Sequence, residues 1–199
     1  MYPLLETIRF EDGEFNNIEY HTRRMKQSAK ALFKTSLIFE PEQVLKEARQ
    51  KAKNKDGLFK FRLNYGLDEF LWEFVPYSLP NIKTLKLIYS DDIDYSLKYS
   101  DRSKLNFLRG RKGDADDILI VKNNEITDTS FANILFFDGN QWLTPKNPLL
   151  HGTQRAFLLE RNYISKAIIR VDDLFRFQKS RIVNAMIRFE DELDMEIIS

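Results

Sequence analysis

Between Thr127 and Arg155 the chain reads TDTSFANILFFDGNQWLTPKNPLLHGTQR, and no other stretch restricts the fold as tightly. A carboxylate, Asp128, is followed by small polar residues and Asn133, then by two runs that read as a β-hairpin. A leucine-rich loop comes next and opens into a helix at Gly152-Thr153-Gln154-Arg155. A helix start of this kind presents unpaired backbone N–H groups and a positive dipole end, which suit a phosphate. The upstream carboxylate is the kind of group that meets a ring nitrogen.

The rest of the chain alternates strands with helices. Leu4–Phe10 reads as a strand, and Asp12-Gly13 turns it into a second at Glu14–Glu19, since Asp-Gly between such runs signals a hairpin. His21 to Phe33 is an amphipathic helix with Met25, Ala29, Leu32 and Phe33 inward. Pro41 starts another helix, to about Lys53. Leu58–Tyr65 and Glu69–Tyr77 form a further hairpin, with Phe59, Phe61, Leu63 and Tyr65 on one face and Lys60, Arg62 and Asn64 on the other. After PYSLP at 76–80, a short and rigid junction, come a strand at 83–90, a helix at about 101–111, and strands at Asp117–Lys122, Asn133–Phe137 and Gln141–Leu143. The helix from Thr153 to about Arg161, a strand at Ile168–Val171, a short helix in VDDLFRF and strands at Arg181–Ala185 and Asp194–Ile198 complete the pattern. Both halves are α+β. The expected division is a small α+β domain over 1–80 and a larger one over 81–199.

Charge and composition exclude several functions. Lysine and arginine (31) nearly balance aspartate and glutamate (30), so no basic field recruits nucleic acid. The densest run, KEARQKAKNKD at 46–56, reads as the solvated face of a helix. The chain has no cysteine, hence no disulfide, thiol nucleophile or thiolate metal site. The N-terminal MYPLLETIRFEDGEF lacks the basic and apolar regions of a signal peptide, and no apolar run approaches the ~18 residues a membrane span requires. A soluble cytoplasmic protein is expected.

Taken together, the motifs resemble those of the class IV aminotransferase family, fold type IV enzymes dependent on pyridoxal 5′-phosphate (PLP). LLETIRFEDGEFNNIEYHTRRM resembles the family's N-terminal L-E-T-I…D-G…H-x-x-R-L run. DDILIVKNNEITDTSFANILFFDG resembles its central core, and the loop ending in Gly152-Thr153-Gln154 its TP…L-GIT segment. The order and spacing of these pieces carry the resemblance. It implies a two-domain fold like that of D-amino-acid aminotransferase, here shorter than in typical members, and a homodimer.

The resemblance also implies roles. Arg24 corresponds to the arginine that binds the cofactor phosphate, while Arg23 lies about 100° around the helix and is expected to face solvent. His21 corresponds to the motif histidine and reads as structural. Gly152, Thr153 and Gln154 would cradle the phosphate, with Asn184 and Ala185 completing it where relatives carry serine or threonine. Asp128 stands where relatives carry glutamate against the pyridine nitrogen, and Asn133 ends the same motif; the bland reading of Asp128 is a turn residue in a Thr-Asp-Thr-Ser cluster. Arg62, on the polar face of its strand, would hold a substrate carboxylate or else form a structural ion pair.

PLP chemistry needs a lysine that joins the cofactor and shuttles protons, and two candidates lie in the right region. KLNFL at Lys104 looks like the family's K-x-L-N-x-L. In relatives, however, the lysine ends an extended segment and a full helix follows before the strand matching DDILIV. Lys98 precedes Ile118 by 20 residues, as that helix requires, whereas Lys104 leaves 14 and falls inside the helix. Lys98 is therefore the expected catalytic lysine, its bland alternative being an exposed lysine at a strand end. The compact size and the LKYSDRS segment resemble a subgroup assigned to 4-amino-4-deoxychorismate lyase, which forms 4-aminobenzoate for folate with loss of pyruvate. A branched-chain or D-amino-acid aminotransferase is the alternative, and a PLP-binding homologue without turnover the third.

Overall fold

The structure, a computed structural model, describes residues 2–52 and 55–198. The chain forms two compact units, one of residues 1–79 with Leu97–Asp101, the other of Pro80–Ser96 with Arg102–Ser199. The short segment carrying Lys98 thus returns to the first unit after the chain has entered the second.

In the first unit, strands β1 (Leu4–Glu11), β2 (Glu14–Phe15), β3 (Leu58–Tyr65) and β4 (Phe70–Pro76) make an antiparallel sheet in the order β2-β1-β3-β4. The β1–β2 turn is formed by Asp12 and Gly13, both at positive φ (49° and 85°), which the primed hairpin turns demand. Helices α1 (Ile18–Phe33) and α2 (Pro41–Lys51) cover one face. The core takes Leu4, Ile8 and Phe10 from β1, Phe61, Leu63 and Tyr65 from β3, Met25 from α1, and Val44, Leu45 and Ala48 from α2. Residues 97–100 run beside the start of β1: Leu5 N–H donates to Lys98 O (2.9 Å), Ser100 N–H to Pro3 O (2.9 Å), and Leu4 bridges Tyr99.

The second unit holds β5 (Thr84–Tyr89), α3 (Ser103–Arg109), β6 (Asp117–Lys122), β7 (Glu125–Thr129), β8 (Asn133–Phe137), β9 (Trp142–Pro145), α4 (Thr153–Glu160), β10 (Ile164–Ala167), β11 (Lys179–Val183) and β12 (Asp194–Ile198). Its strands follow the order β10-β9-β8-β11-β12-β5-β6-β7, and β7 pairs again with β8. Six strands, β8-β11-β12-β5-β6-β7, therefore close on themselves. The residue pair at the closing seam is Asp128 opposite Asn133. Among the described residues no helix is long and apolar enough to cross a membrane.

Several expectations are corrected. The second strand stops at Phe15 instead of Glu19, because Asn17 adopts a left-handed conformation (φ 55°) and Ile18 begins α1; asparagine tolerates that region better than most residues. The end expected at Lys53 for the Pro41 helix lies outside the described residues, and α2 is assigned to Lys51. The strand expected at Ile168–Val171 is instead β10 at Ile164–Ala167, paired parallel with β9, and Val171–Arg176 forms a 3₁₀ turn. One strand went unexpected. β7, EITDT, is buried on both faces, so it lacks the polar–apolar alternation that marks a half-buried strand.

Candidate active site

Asp128 sits on β7 at the seam of the closed sheet and is 5% exposed. Asn133 Nδ2 donates to Asp128 Oδ1 (2.7 Å) and to Leu150 O (2.9 Å), and Leu150 N–H donates to Asp128 Oδ2 (2.8 Å). A side chain on β8 and a backbone amide of the leucine-rich loop thus hold the carboxylate from two sides. Burial pushes its pKa up to about 6, although the bonds from Leu150 and Asn133 and the charge of Arg155 oppose the rise. Both oxygens are engaged by neutral donors, so the group is rigid and poised near neutrality.

The loop that reaches Asp128 leads into α4. A Cβ built on Gly152 would stand 2.0 Å from Asn133 Oδ1, so no larger residue fits there without displacing the asparagine that holds Asp128. Gly152 is also the N-cap of α4 and has no side chain with which to cap the first-turn amides. Thr153 and Gln154 are each 3% exposed. Behind them Arg155 donates from Nε to Thr144 Oγ1 (3.1 Å) and from Nη2 to Pro145 O (2.7 Å), fixing the helix start against β9. Asn184 closes its own turn: Oδ1 accepts from Met186 N–H (2.7 Å) and Ile187 N–H (2.9 Å), while Nδ2 donates to Phe131 O (3.3 Å). That last bond ties the 184–187 turn, with Ala185 in it, to the TSFAN segment. The second unit therefore gathers Asp128, Asn133, Gly152 and the Asn184 turn into one neighbourhood.

The first unit assembles a different group. His21 and Arg24 are three residues apart on α1 and face β1 together. There Arg24 donates from Nε and Nη2 to the two oxygens of Glu6 (2.7 and 2.6 Å), and His21 Nδ1 lies 2.7 Å from Glu6 Oε2. Glu6 has no exposed surface. Burial works to raise its pKa, yet the charge of Arg24 and hydrogen bonds from His21 and Arg24 outweigh it and hold the carboxyl down at about 2. Burial lowers His21, against the bond and charge of Glu6, and the charges of Arg24 and Lys98 push it further down. The influence of Lys98 on His21 puts the Lys98 ammonium in the same electrostatic environment as Arg24. Arg23, in contrast, is exposed, with its guanidinium 5.2 Å from the centre of the Tyr20 ring.

Lys104 lies within α3 and is exposed, whereas Lys98 is half-buried in the short segment that bridges to β1, four residues ahead of Arg102, the N-cap of α3. Arg62 reaches across from β3 to Glu73 on β4 (3.3 Å), an exposed pair. Glu6 escaped the sequence reading, although a signal was present. Positions 4, 6, 8 and 10 of β1 all point to the core, and a carboxylate among Leu4, Ile8 and Phe10 needs a buried partner.

A phosphorylated pyridine cofactor fits these chemistries. A buried acid near neutrality suits a ring nitrogen that carries a proton, a helix start without a side-chain cap suits a phosphate, and a half-buried lysine suits an aldehyde. The comparisons with known proteins point the same way. A family model described as class IV aminotransferase matches residues 98–189, a span that begins at Lys98 and contains Asp128, Asn133, Gly152–Gln154, Asn184 and Ala185. A crystal structure from Haemophilus somnus 129PT, of a protein provisionally named 4-amino-4-deoxychorismate lyase, is 37% identical; the match covers 95% of this chain and 98% of that one, with a TM-score of 0.90. An uncharacterized protein of Haemophilus influenzae is 35% identical over 186 residues, 94% of this chain and 98% of its own. A Mesorhizobium loti protein provisionally named an amino-acid aminotransferase shares the fold (TM-score 0.84) at 22% identity, the match covering 98% of this chain and 99% of that one.

Proposed function

Because the chain belongs to the class IV aminotransferase family of PLP-dependent enzymes, we propose that it is a 4-amino-4-deoxychorismate lyase, converting its substrate to 4-aminobenzoate and pyruvate in the cytoplasm as a homodimer. The observation that carries the choice of reaction is the 37% identity, over nearly the full length of both chains, to a protein provisionally given that name.

In this reading Lys98 would hold the cofactor through its amine, and once the substrate amine has displaced it, that free amine would take the proton from the amine-bearing carbon of the substrate. Bound PLP supplies an electron sink for the carbanion that results. Asp128 would answer the ring nitrogen of the bound cofactor, and a cation there would favour the charged carboxylate and offset the burial that raises its pKa to about 6. Asn133 keeps Asp128 in register. Arg24, the first-turn amides at Gly152, Thr153 and Gln154, and the turn at Asn184 and Ala185 bind the phosphate. Arg62 holds a substrate carboxylate, exchanging Glu73 for it. Loss of pyruvate makes the ring aromatic, which drives the reaction forward.

The second reading is a class IV aminotransferase, favoured by the fold shared with the M. loti protein. It would use the same residues, with Lys98 returning the proton so that an amino group is transferred instead of pyruvate being lost. The deciding assay supplies aminodeoxychorismate and measures 4-aminobenzoate and pyruvate, then supplies amino acids with 2-oxoglutarate and measures glutamate. The lyase reading expects the first pair of products. Rapid glutamate formation without 4-aminobenzoate would reject it and favour the aminotransferase.

A further inference from the structure

Glu6 has no part in the roles above, yet it is the most buried acid of the first unit and the one that Arg24 grips. We propose that Glu6 is a positioning residue for the cofactor site: its carboxylate clamps two nitrogens of Arg24 and the imidazole of His21, and so fixes where the arginine presents its charge to a phosphate. The inference rests on the reading of Arg24 as the phosphate-binding arginine.

Three observations lead there. Glu6 occupies a core position in register with Leu63, between Leu4 and Ile8 on the same face. An apolar residue would suit such a slot at least as well, because a buried ion pair seldom stabilises a fold more than the hydrophobes that replace it. What the pair adds is direction. Arg24 donates through Nε and Nη2 in a two-pronged grip (2.7 and 2.6 Å), the geometry that fixes the plane of a guanidinium most firmly. An arginine so held has already lost most of its side-chain freedom before a ligand arrives. Arg23, its neighbour on α1, is exposed, with its guanidinium over the Tyr20 ring. Finally, Leu5, next to Glu6 on β1, donates its N–H to Lys98 O (2.9 Å). One strand therefore fixes both the lysine-bearing segment and the arginine.

The test compares PLP with pyridoxal, which lacks the phosphate, by equilibrium titration of the full chain. Glu6→Gln keeps the shape but removes the charge and turns an amide donor toward the guanidinium. It is expected to weaken PLP about tenfold or more, the scale of one charge-assisted hydrogen bond, while pyridoxal affinity changes less than about twofold. Arg24→Ala should collapse the same PLP-to-pyridoxal ratio, and the double variant should add little. If Glu6→Gln weakens both ligands equally, or leaves the ratio intact while Arg24→Ala collapses it, Glu6 is structural only and the proposal fails. If Arg24→Ala leaves the ratio intact, the arginine assignment fails and takes this proposal with it. Should Glu6→Gln not fold, Glu6→Asp keeps the charge and withdraws it by one methylene. A folded Glu6→Asp variant with wild-type discrimination overturns the proposal just as surely.

Discussion

Among the carboxylates buried in the described residues, Glu6 in the first unit and Asp128 in the second lie at nearly the same depth, with 0% and 5% exposure. Their environments drive them apart. Glu6 meets a guanidinium and an imidazole and is held at about 2; Asp128 meets a carboxamide and a backbone amide and is pushed up to about 6. Burial alone raises both. The sign of the outcome is decided by whether a full charge stands opposite. Glu6 is thereby fixed as an anion over the whole physiological range, which suits a group that clamps an arginine. Asp128 retains a response to whatever cation is brought to it, which suits a partner for a protonated ring nitrogen.

The largest expected effect tests the lysine that shares the environment of Glu6. Lys98→Ala should abolish turnover, whereas Lys104→Ala should be nearly silent. Borohydride reduction of the PLP-loaded protein, followed by peptide mapping, should leave the pyridoxyl group on the peptide containing Lys98. A label on Lys104 would move the chemistry out of the first unit and break the comparison.

Asp128→Asn comes next. It keeps the shape and the bonding positions but removes the charge that answers a pyridinium. We expect kcat to fall by about 100-fold or more, the scale of losing a charge that stabilises a transition state, with PLP still bound through its phosphate. A variant with full activity would make Asp128 a structural member of the β7–β8 seam.

How much of this was legible in the sequence follows from the same physics. Strands exposed on one face, such as β3 with Phe61, Leu63 and Tyr65 inward, announce themselves by alternation. Asp128, Asn133 and Gly152 were named from motif order, and the structure adds why they go together: a Cβ at Gly152 would strike the asparagine that holds the aspartate. β7 itself was missed because burial on both faces erases alternation, and its Thr127 satisfies itself through a bond to Ile120 O instead of a polar surface. The Glu6–Arg24–His21 cluster was missed for another reason. HTRRM showed which arginine faces inward, but the partner lies 18 residues back on β1. Local spacing carries no record of a contact that only the packing of α1 on β1 creates.

The pH dependence of stability in the PLP-free protein tests the pair directly. The pKa of Glu6 is depressed from 4.5 to about 2, so its contribution is present above 4.5 and is lost as pH falls from 4.5 toward 2. The pKa of Asp128 is raised from 3.8 to about 6, so the folded state pays a penalty that grows as pH rises from 3.8 to 6 and is constant above. Each arm amounts to about 3 kcal/mol at most, from shifts of roughly two pKa units. Burial also lowers His21 and His151 from 6.5, which adds stability as pH rises toward 6.5, so the test is a difference between variants in denaturant unfolding. Measured against Asp128→Asn, the unchanged protein should lose stability from pH 3.8 to 6, and measured against Glu6→Gln it should gain stability from pH 2 to 4.5. A flat difference from Asp128→Asn between pH 3.8 and 6 would mean that Asp128 is not raised.

The smallest effect concerns an exposed carboxylate, Glu73, which shows what burial adds. Arg62 and Glu73 form the same kind of pair as Arg24 and Glu6, but their side chains are 42% and 54% exposed and the separation is 3.3 Å. Water screens such a pair, and its loss costs less than about 1 kcal/mol. Arg62→Ala should therefore leave the thermal midpoint within a few degrees of the unchanged protein. The same exposure leaves the guanidinium able to exchange Glu73 for a substrate carboxylate at little cost, which a buried clamp like Glu6 would forbid. We expect KM to rise about tenfold with kcat nearly unchanged, the pattern of an interaction made equally in ground and transition states. An unaltered KM would leave Arg62 as a surface partner of Glu73, and substrate recognition would have to be sought on another element.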